Sequence, residues 1–263
     1  ARLAPCVLIF TLSALERYVL AEMNLVLVPG LLCDKAVWKP QMKALKGLAR
    51  VQVADHGELD SLGAMAEAIL AKAPAKFAVA GHSMGGRVAL EVVRRAASRV
   101  TGLALLDTGY TPLPAGAAGV KEEAGRQELL DLARQAGLRA VGERWLRIPM
   151  VHESRLKERK LVEPIRQRFE RRTPGKFAAQ IRALLRRPDA TALLPMISCP
   201  TLVLCGQDDA WSPLSRHRVM AQLIAHSTLV PVPECGHMCT LERPDAVSDA
   251  LRAWLMRVAK LNA

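Results

Sequence analysis

The sequence predicts an α/β fold, a mostly parallel sheet with helices on both faces and a helical cap inserted between two core strands. Three observations predict it. Short β-rich runs alternate with longer amphipathic segments from residue 24 onward, the pattern of a parallel sheet covered by helices. That rhythm stops after Thr108 and resumes only at Thr201, so about 88 residues interrupt one sheet rather than following it. The composition, 51% hydrophobic and 24% charged with mean hydropathy +0.13, can bury a full core and excludes disordered and fibrous classes.

Taken in order, Leu25–Val28 is an apolar strand ending at Pro29-Gly30. Val37–Leu48 has helical spacing, with Val37, Met42, Leu45 and Leu48 near one face. Arg50–Ala54 reads as a second strand, and Leu62–Ala73 as an Ala-rich helix stopped by Pro74. Lys76–Ala80 is a third strand, Gly81–Gly86 a glycine-punctuated turn, Val88–Ala97 a helix and Val100–Leu106 a fourth strand. In the interruption, Glu122–Gln135, Arg139–Ile148, Ser154–Arg171 and Gly175–Arg187 have helical composition, punctuated by prolines. Thr201–Cys205, Pro213–Ala225, Thr228–Val232 and Pro244–Lys260 then restore the strand–helix alternation. The expected organisation is a core of residues 23–109 and 198–263 with a cap of residues 110–197.

Residues 1–22 stand apart. Leu3–Leu15 is apolar but, at 13 residues, too short to span a membrane. It has no basic n-region beyond Arg2 and no small-x-small cleavage site. The run from Met23 enters the first strand in the manner of a chain start, so residues 1–22 read as an N-terminal extension; a packed helix or strand is the alternative.

Charge and cysteine usage narrow the partners. Thirty-seven Lys and Arg against 25 Asp and Glu give +12, which permits nucleic-acid or membrane-surface binding without fixing a fold. Aromatics are only 4% and no nucleic-acid module is recognisable, so no nucleic-acid partner is expected. Within the cap, 18 basic residues meet 10 acidic ones, so it carries +8 of the +12. Solvated helix faces explain that surplus; a basic cover over an anionic ligand is the sharper alternative. Six cysteines are too few for a disulfide scaffold and fit reduced thiols in a cytoplasmic protein. Cys205 ends an apolar run, where Cys acts as a small core hydrophobe. Cys235, His237 and Cys239 could be read as metal ligands, but a zinc pattern needs a second pair that is absent, so no metal is expected. The dinucleotide and phosphate-loop glycine patterns are also absent, and no cofactor is implied.

Gly81-His82-Ser83-Met84-Gly85-Gly86 follows a strand and opens a helix, the context that gives G-x-S-x-G its meaning. Such a turn lifts the Ser83 hydroxyl above the sheet edge and leaves the Met84 N–H free to donate to an oxyanion. A serine hydroxyl needs a base and an orienting acid, which here follow in the order Ser, Asp or Glu, His. Asp208 and Asp209 follow the strand ending at Cys205, and His237 follows the strand ending at Val232. Both positions are at carboxyl ends of strands, where ligands collect in parallel sheets. His56, His152, His217 and His226 lack such a placement, and His82, inside the turn, is expected to support it.

With Pro29-Gly30-Leu31, Gly-His-Ser-Met-Gly-Gly, Gly206 to Pro213, and Gly236-His237-Met238 with Glu242-Arg243-Pro244, the chain resembles the α/β-hydrolase superfamily over residues 24–260. It is most similar to the lidded esterase, lactonase and C–C-hydrolase branch. The resemblance places the acid three residues after the glycine and four before the proline, which selects Asp209 over Asp208. It implies a Ser83–Asp209–His237 triad with the N–H groups of Leu31 and Met84 as oxyanion donors. Two features depart from it. Pro29 replaces the usual His before Gly30, and residues 1–22 fit poorly to the antiparallel hairpin that usually precedes this strand. The resemblance implies a serine hydrolase for a small or medium-sized carboxylic ester, forming an acyl-enzyme without a cofactor. Lactone, thioester or C–C hydrolysis on the same triad, and a non-catalytic ligand receptor on the same scaffold, are the alternatives.

Overall fold

The computed structural model describes residues 22–147 and 150–262. The expectations placed on residues 1–21, and the end of the Arg139–Ile148 helix, lie outside the described residues. The core strands are β1 (Asn24–Val28), β2 (Arg50–Val53), β3 (Phe77–His82), β4 (Val100–Leu106), β5 (Thr201–Gly206) and β6 (Ser227–Val232). They form one sheet in the order β2-β1-β3-β4-β5-β6, every pairing parallel. The chain runs outward in one direction from β1 to β2 and in the other from β3 to β6. The crevice of such a sheet opens where those directions part, outside the carboxyl ends of β1 and β3.

Alternate residues of each strand bury on opposite faces, as a period of two requires. Leu25, Leu27, Ala78, Ala80, Leu202 and Leu204 share one face with Leu251, Trp254 and Leu255. Those three lie on the C-terminal helix Pro244–Asn262, and α1 (Lys39–Ala44) lies on the same side. Val26, Val79, Leu103, Leu105 and Val203 turn to the other face. They meet α2 (Leu62–Leu70), α3 (Met84–Ala96) and Met220 of the helix Leu214–Leu223.

Several boundaries shift for local reasons. The expected Val37–Leu48 helix divides into a 3-10 turn, Lys35–Trp38, capped by the Asp34 side chain, and α1. Strand β3 continues to His82 and α3 begins at Met84 rather than Val88, so the glycine-rich turn is built from a strand end and a helix start with a single residue between them.

Between β4 and β5 the chain leaves the sheet and forms the cap. Its helices are α4 (Ala117–Arg147), α5 (Arg159–Glu170) and α6 (Pro174–Leu185), followed by a 3-10 stretch at Thr191–Met196. The two segments expected on either side of residue 137 are one helical run broken by Gly137, whose φ of 78° and ψ of 169° are non-helical. The expected Ser154–Arg171 helix starts only at Arg159, after a 3-10 turn at Glu153–Arg155. Trp145, Phe169 and Phe177 stack edge to face in the cap and continue the core of the first sheet face. After β5 come α7 (Leu214–Leu223), β6, the short α8 (Cys239–Glu242) and α9 (Pro244–Asn262). Among the described residues no helix is long and apolar enough to cross a membrane.

Candidate active site

Ser83 sits between β3 and α3 with φ 56° and ψ −120°, a conformation sparsely used by non-glycine residues. The turn closes only because its neighbours lack side chains. A Cβ on Gly81 would lie 2.2 Å from the Gly85 carbonyl oxygen, and one on Gly85 2.1 Å from that of Val28. The Ser83 N–H donates to the Leu106 carbonyl at 2.9 Å, and the Thr108 hydroxyl donates to the Ser83 carbonyl at 2.6 Å. The turn is thereby fastened to β4, and the Ser83 side chain projects into a cavity of about 480 Å³ under the cap.

His237 and Asp209 converge on it. The Ser83 hydroxyl lies 2.8 Å from His237 Nε2, and His237 Nδ1 lies 2.9 Å from Asp209 Oδ2. A carboxylate only accepts, so Nδ1 carries the proton and Nε2 presents its lone pair to the serine. Asp209 is itself held, its Oδ1 accepting from the N–H groups of Trp211 at 2.8 Å and Ser212 at 2.9 Å. The Trp211 ring stacks on the imidazole with centroids 5.1 Å apart. Burial would depress the His237 pKa, but the charge of Asp209 and its hydrogen bond outweigh burial, and the pKa rises above 6.5. Asp208 points elsewhere. Its half-exposed side chain lies 3.7 Å from His152.

Leu31 and Met84 line the same cavity as Ser83 and His237. Met84 opens α3, and the first N–H groups of a helix have no intrahelical acceptor. Gly30 lets the Leu31 turn come close, since a Cβ there would lie 3.0 Å from Ser83 Cβ. That turn is closed by Cys33 N–H donating to the Gly30 carbonyl at 3.0 Å.

Four supports were not read from the sequence. Glu242, fully buried, accepts from the N–H groups of Gly236, Met238 and His152 at 2.8–3.1 Å and so clamps the turn that carries His237. Asp107, also fully buried, accepts from Gly206 N–H at 2.9 Å and Cys239 N–H at 3.3 Å, tying the ends of β4 and β5 to the His237 loop. Gln180, on α6, accepts from the Leu32 N–H at 2.7 Å. Arg87, one turn into α3, donates to the Thr111 carbonyl at 2.8 Å. Glu242 stood inside a quoted motif. The other three act across long sequence separations that no local pattern marks.

His82 reaches beyond its own turn. Its Nε2 lies 2.7 Å from the main-chain carbonyl of His237. The Cys235–His237–Cys239 trio does not form a donor set, because both His237 nitrogens are engaged by Asp209 and Ser83. Among the described residues, donor atoms do converge at His82–Asp107–Cys239 and Asp107–Cys205–Asp209. Burial pushes the Cys205 and Cys239 thiols well above their usual range, which disfavours the thiolate a metal needs. The Asp107 oxygens already serve backbone donors.

Residues 25–250 match the model of the alpha/beta hydrolase family. Among curated proteins, the chain is 27% identical over 235 residues to a pimeloyl-[acyl-carrier protein] methyl ester esterase of Nitrosomonas europaea, covering 84% of this chain and 91% of that one. It is 26% identical over 241 residues to a 2-succinyl-6-hydroxy-2,4-cyclohexadiene-1-carboxylate synthase of Salmonella paratyphi B, covering 87% and 92%. Among solved structures, a thermophilic esterase of Thermogutta terrifontis superposes with a TM-score of 0.81 at 31% identity, covering 91% of each chain.

Proposed function

The chain belongs to the alpha/beta hydrolase family, and from that premise we propose that it is a serine hydrolase acting on a carboxylic ester of small or medium size. The observation that carries the proposal is the unbroken relay from Asp209 through His237 to Ser83, with links of 2.9 and 2.8 Å, opening into a cavity of about 480 Å³. Two similar proteins bear esterase names, which supports ester cleavage over the other reactions this constellation can run.

In this reading Ser83 Oγ attacks the acyl carbon as His237 Nε2 takes its proton. Asp209 keeps Nδ1–H in place and stabilises the imidazolium. The negative oxygen of the tetrahedral intermediate accepts from the N–H groups of Leu31 and Met84. His237 then gives its proton to the departing alcohol, leaving an acyl-Ser83 ester. Water, deprotonated by His237, attacks that ester and releases the acid and the serine. The cap limits what can enter.

The test is covalent. A fluorophosphonate should label Ser83 stoichiometrically and stop release of 4-nitrophenol from 4-nitrophenyl acetate, and Ser83→Ala should take no label. Labelling elsewhere, or ester turnover that survives the label, would overturn the assignment.

A further inference from the structure

The cations of the cap and of the core beneath it divide into two populations. Away from the cavity Arg134, Arg139, Arg155 and Arg166 each face a carboxylate, namely Asp131, Glu170, Glu158 and Glu143. Those pairs satisfy four of the cap's 18 basic residues locally. The cavity beside Ser83 is different. Arg87, Arg126, Arg187 and Arg216 all line it. One carboxylate, Glu122, serves two of them, taking both Arg187 Nη1 and Nη2 at 2.7 Å and Arg126 Nη2 at 2.7 Å. Among the described residues, Arg87 and Arg216 have no carboxylate within 4.0 Å. Arg87 holds the Thr111 carbonyl at 2.8 Å, and Arg216 reaches only the Ser212 hydroxyl at 3.5 Å.

These guanidiniums are gathered rather than scattered. Arg187 Nε also donates to the Thr111 carbonyl, at 3.3 Å, so Arg87 and Arg187 share one anchor. A Cβ on Gly109 would lie 2.6 Å from Arg87 Nη2 and 3.3 Å from Arg216 Nη1, so two guanidiniums flank the same point above the end of β4. Burial, followed by the like charges of Arg187 and Arg216, lowers the Arg87 pKa to about 9. Glu122 answers in the opposite sense. Burial would raise its pKa, but the hydrogen bonds from Arg187 and Arg126 hold it at about 2. With Lys121 and Arg144, six cations line this half-buried space against the carboxylates of Glu122 and Asp107, an excess that is unfavourable unless an anion joins it. Arg87 lies in the first turn of α3, four residues beyond Ser83.

We propose that Arg87, Arg187 and Arg216 form an anion-binding subsite of the catalytic cavity, and that the substrate carries a free acidic group, a carboxylate or a phosphate, besides the ester it presents to Ser83. The planar fork of arginine suits both oxyanions. The subsite rests on the ester-hydrolase reading for the reaction it would serve, but not for the binding itself.

The experiment has a kinetic arm and a binding arm. Initial rates are measured with 4-nitrophenyl hydrogen adipate, its neutral methyl ester, and 4-nitrophenyl 5-phosphonopentanoate. The expected result is a kcat/KM at least about tenfold higher for an acidic probe than for the neutral one, a preference that falls toward one in Arg87→Met and in Arg216→Met. Whichever acidic probe leads identifies the group as carboxylate or phosphate. In the second arm, adipate and 5-phosphonopentanoate are titrated calorimetrically into Ser83→Ala. Saturable binding of either should weaken about 10- to 100-fold when Arg216→Met is added. Arg216 projects from the surface helix α7, so this variant keeps the test intact if Arg87→Met does not fold. Equal rates on acidic and neutral probes, together with no saturable binding, would overturn the subsite. Arginine-dependent binding without cleavage of any ester would leave the subsite standing and overturn the hydrolase reading instead.

Discussion

The imidazole of His82 donates to the main-chain carbonyl of His237 at 2.7 Å, so the residue that precedes Ser83 also holds the backbone of His237. The two rings lie 5.4 Å apart, and Trp38 packs edge-on to His82 from behind. The serine turn and the histidine loop therefore cannot move independently. His82→Ala is expected to lower kcat by about 100-fold with KM nearly unchanged, because a displacement of an ångström at the reacting atoms is enough for that loss. Stopped-flow acylation rates check it, and a kcat within threefold of the parent would remove His82 from the positioning role.

Ser83→Ala should lower kcat by about 10⁴-fold or more while the fold persists. Alanine keeps the Cβ and with it the strain of φ 56°. Ser83→Gly removes both, and relief of about 1 kcal/mol should raise Tm by roughly 2–4 °C. Calorimetry of the two variants reads the difference; a glycine variant that melts below the alanine variant would contradict it.

The adjacent carboxylates should separate cleanly. Asp209→Asn is expected to reduce kcat by about 10³- to 10⁴-fold, since the amide cannot orient the imidazole and stabilise its charge. Asp208→Asn, on a half-exposed side chain, should change kcat by less than about threefold. A reversed order would move the acid role to Asp208.

With His237 as the proposed base, its raised pKa is expected to set the acid limb of the rate profile. Only the neutral imidazole can accept the serine proton, so activity rises with pH and its midpoint should lie above 6.5. Removing the carboxylate charge in Asp209→Asn should shift that midpoint to lower pH in kcat/KM measured from pH 5 to 9. By linkage the His237–Asp209 pair stabilises the fold fully below about pH 6.5 and loses that contribution as pH climbs through the raised value. A limb that stays in place when the carboxylate is removed would show that another group controls it.

The convergence of Ser83, Asp209 and His237 could be expected from the sequence because each stands at a chain-local landmark: glycines that no side chain could replace around Ser83, and strand ends before Asp209 and His237. The strand runs were legible for the same reason, since burial on two faces leaves an unbroken apolar string. What lay hidden depends on contacts between distant segments. Nothing near Gln180 marks it as the partner of Leu32, 148 positions away. The helix start at Met84 was legible from the glycine turn, although the run of helical composition reads only from Val88. The charge of the cap was countable as +8, but only the fold shows that two cap arginines, Arg126 and Arg187, meet the core residues Arg87 and Arg216 beside Ser83.

The cap grips the Gly30–Cys33 turn from both sides of one residue. Leu32, at φ 56°, gives its N–H to Gln180 Oε1 at 2.7 Å and accepts at its carbonyl from Arg172 Nε at 3.2 Å. Both partners come from the cap, and Leu32 directly follows the residue whose N–H is assigned to the oxyanion. In Gln180→Leu the Leu32 N–H remains buried without an acceptor, at a cost of about 1–3 kcal/mol, and the turn can relax out of its left-handed conformation. Stability should fall by that amount in urea titrations. Because the oxyanion contact forms in the transition state, kcat should fall by about tenfold or more while KM for a neutral ester stays within twofold. Gln180→Glu keeps an acceptor at the same reach beside the Arg172 cation and should recover most of kcat. A purely structural role would lower stability without the split between kcat and KM, and the glutamate variant would then restore Tm while leaving kcat as it was.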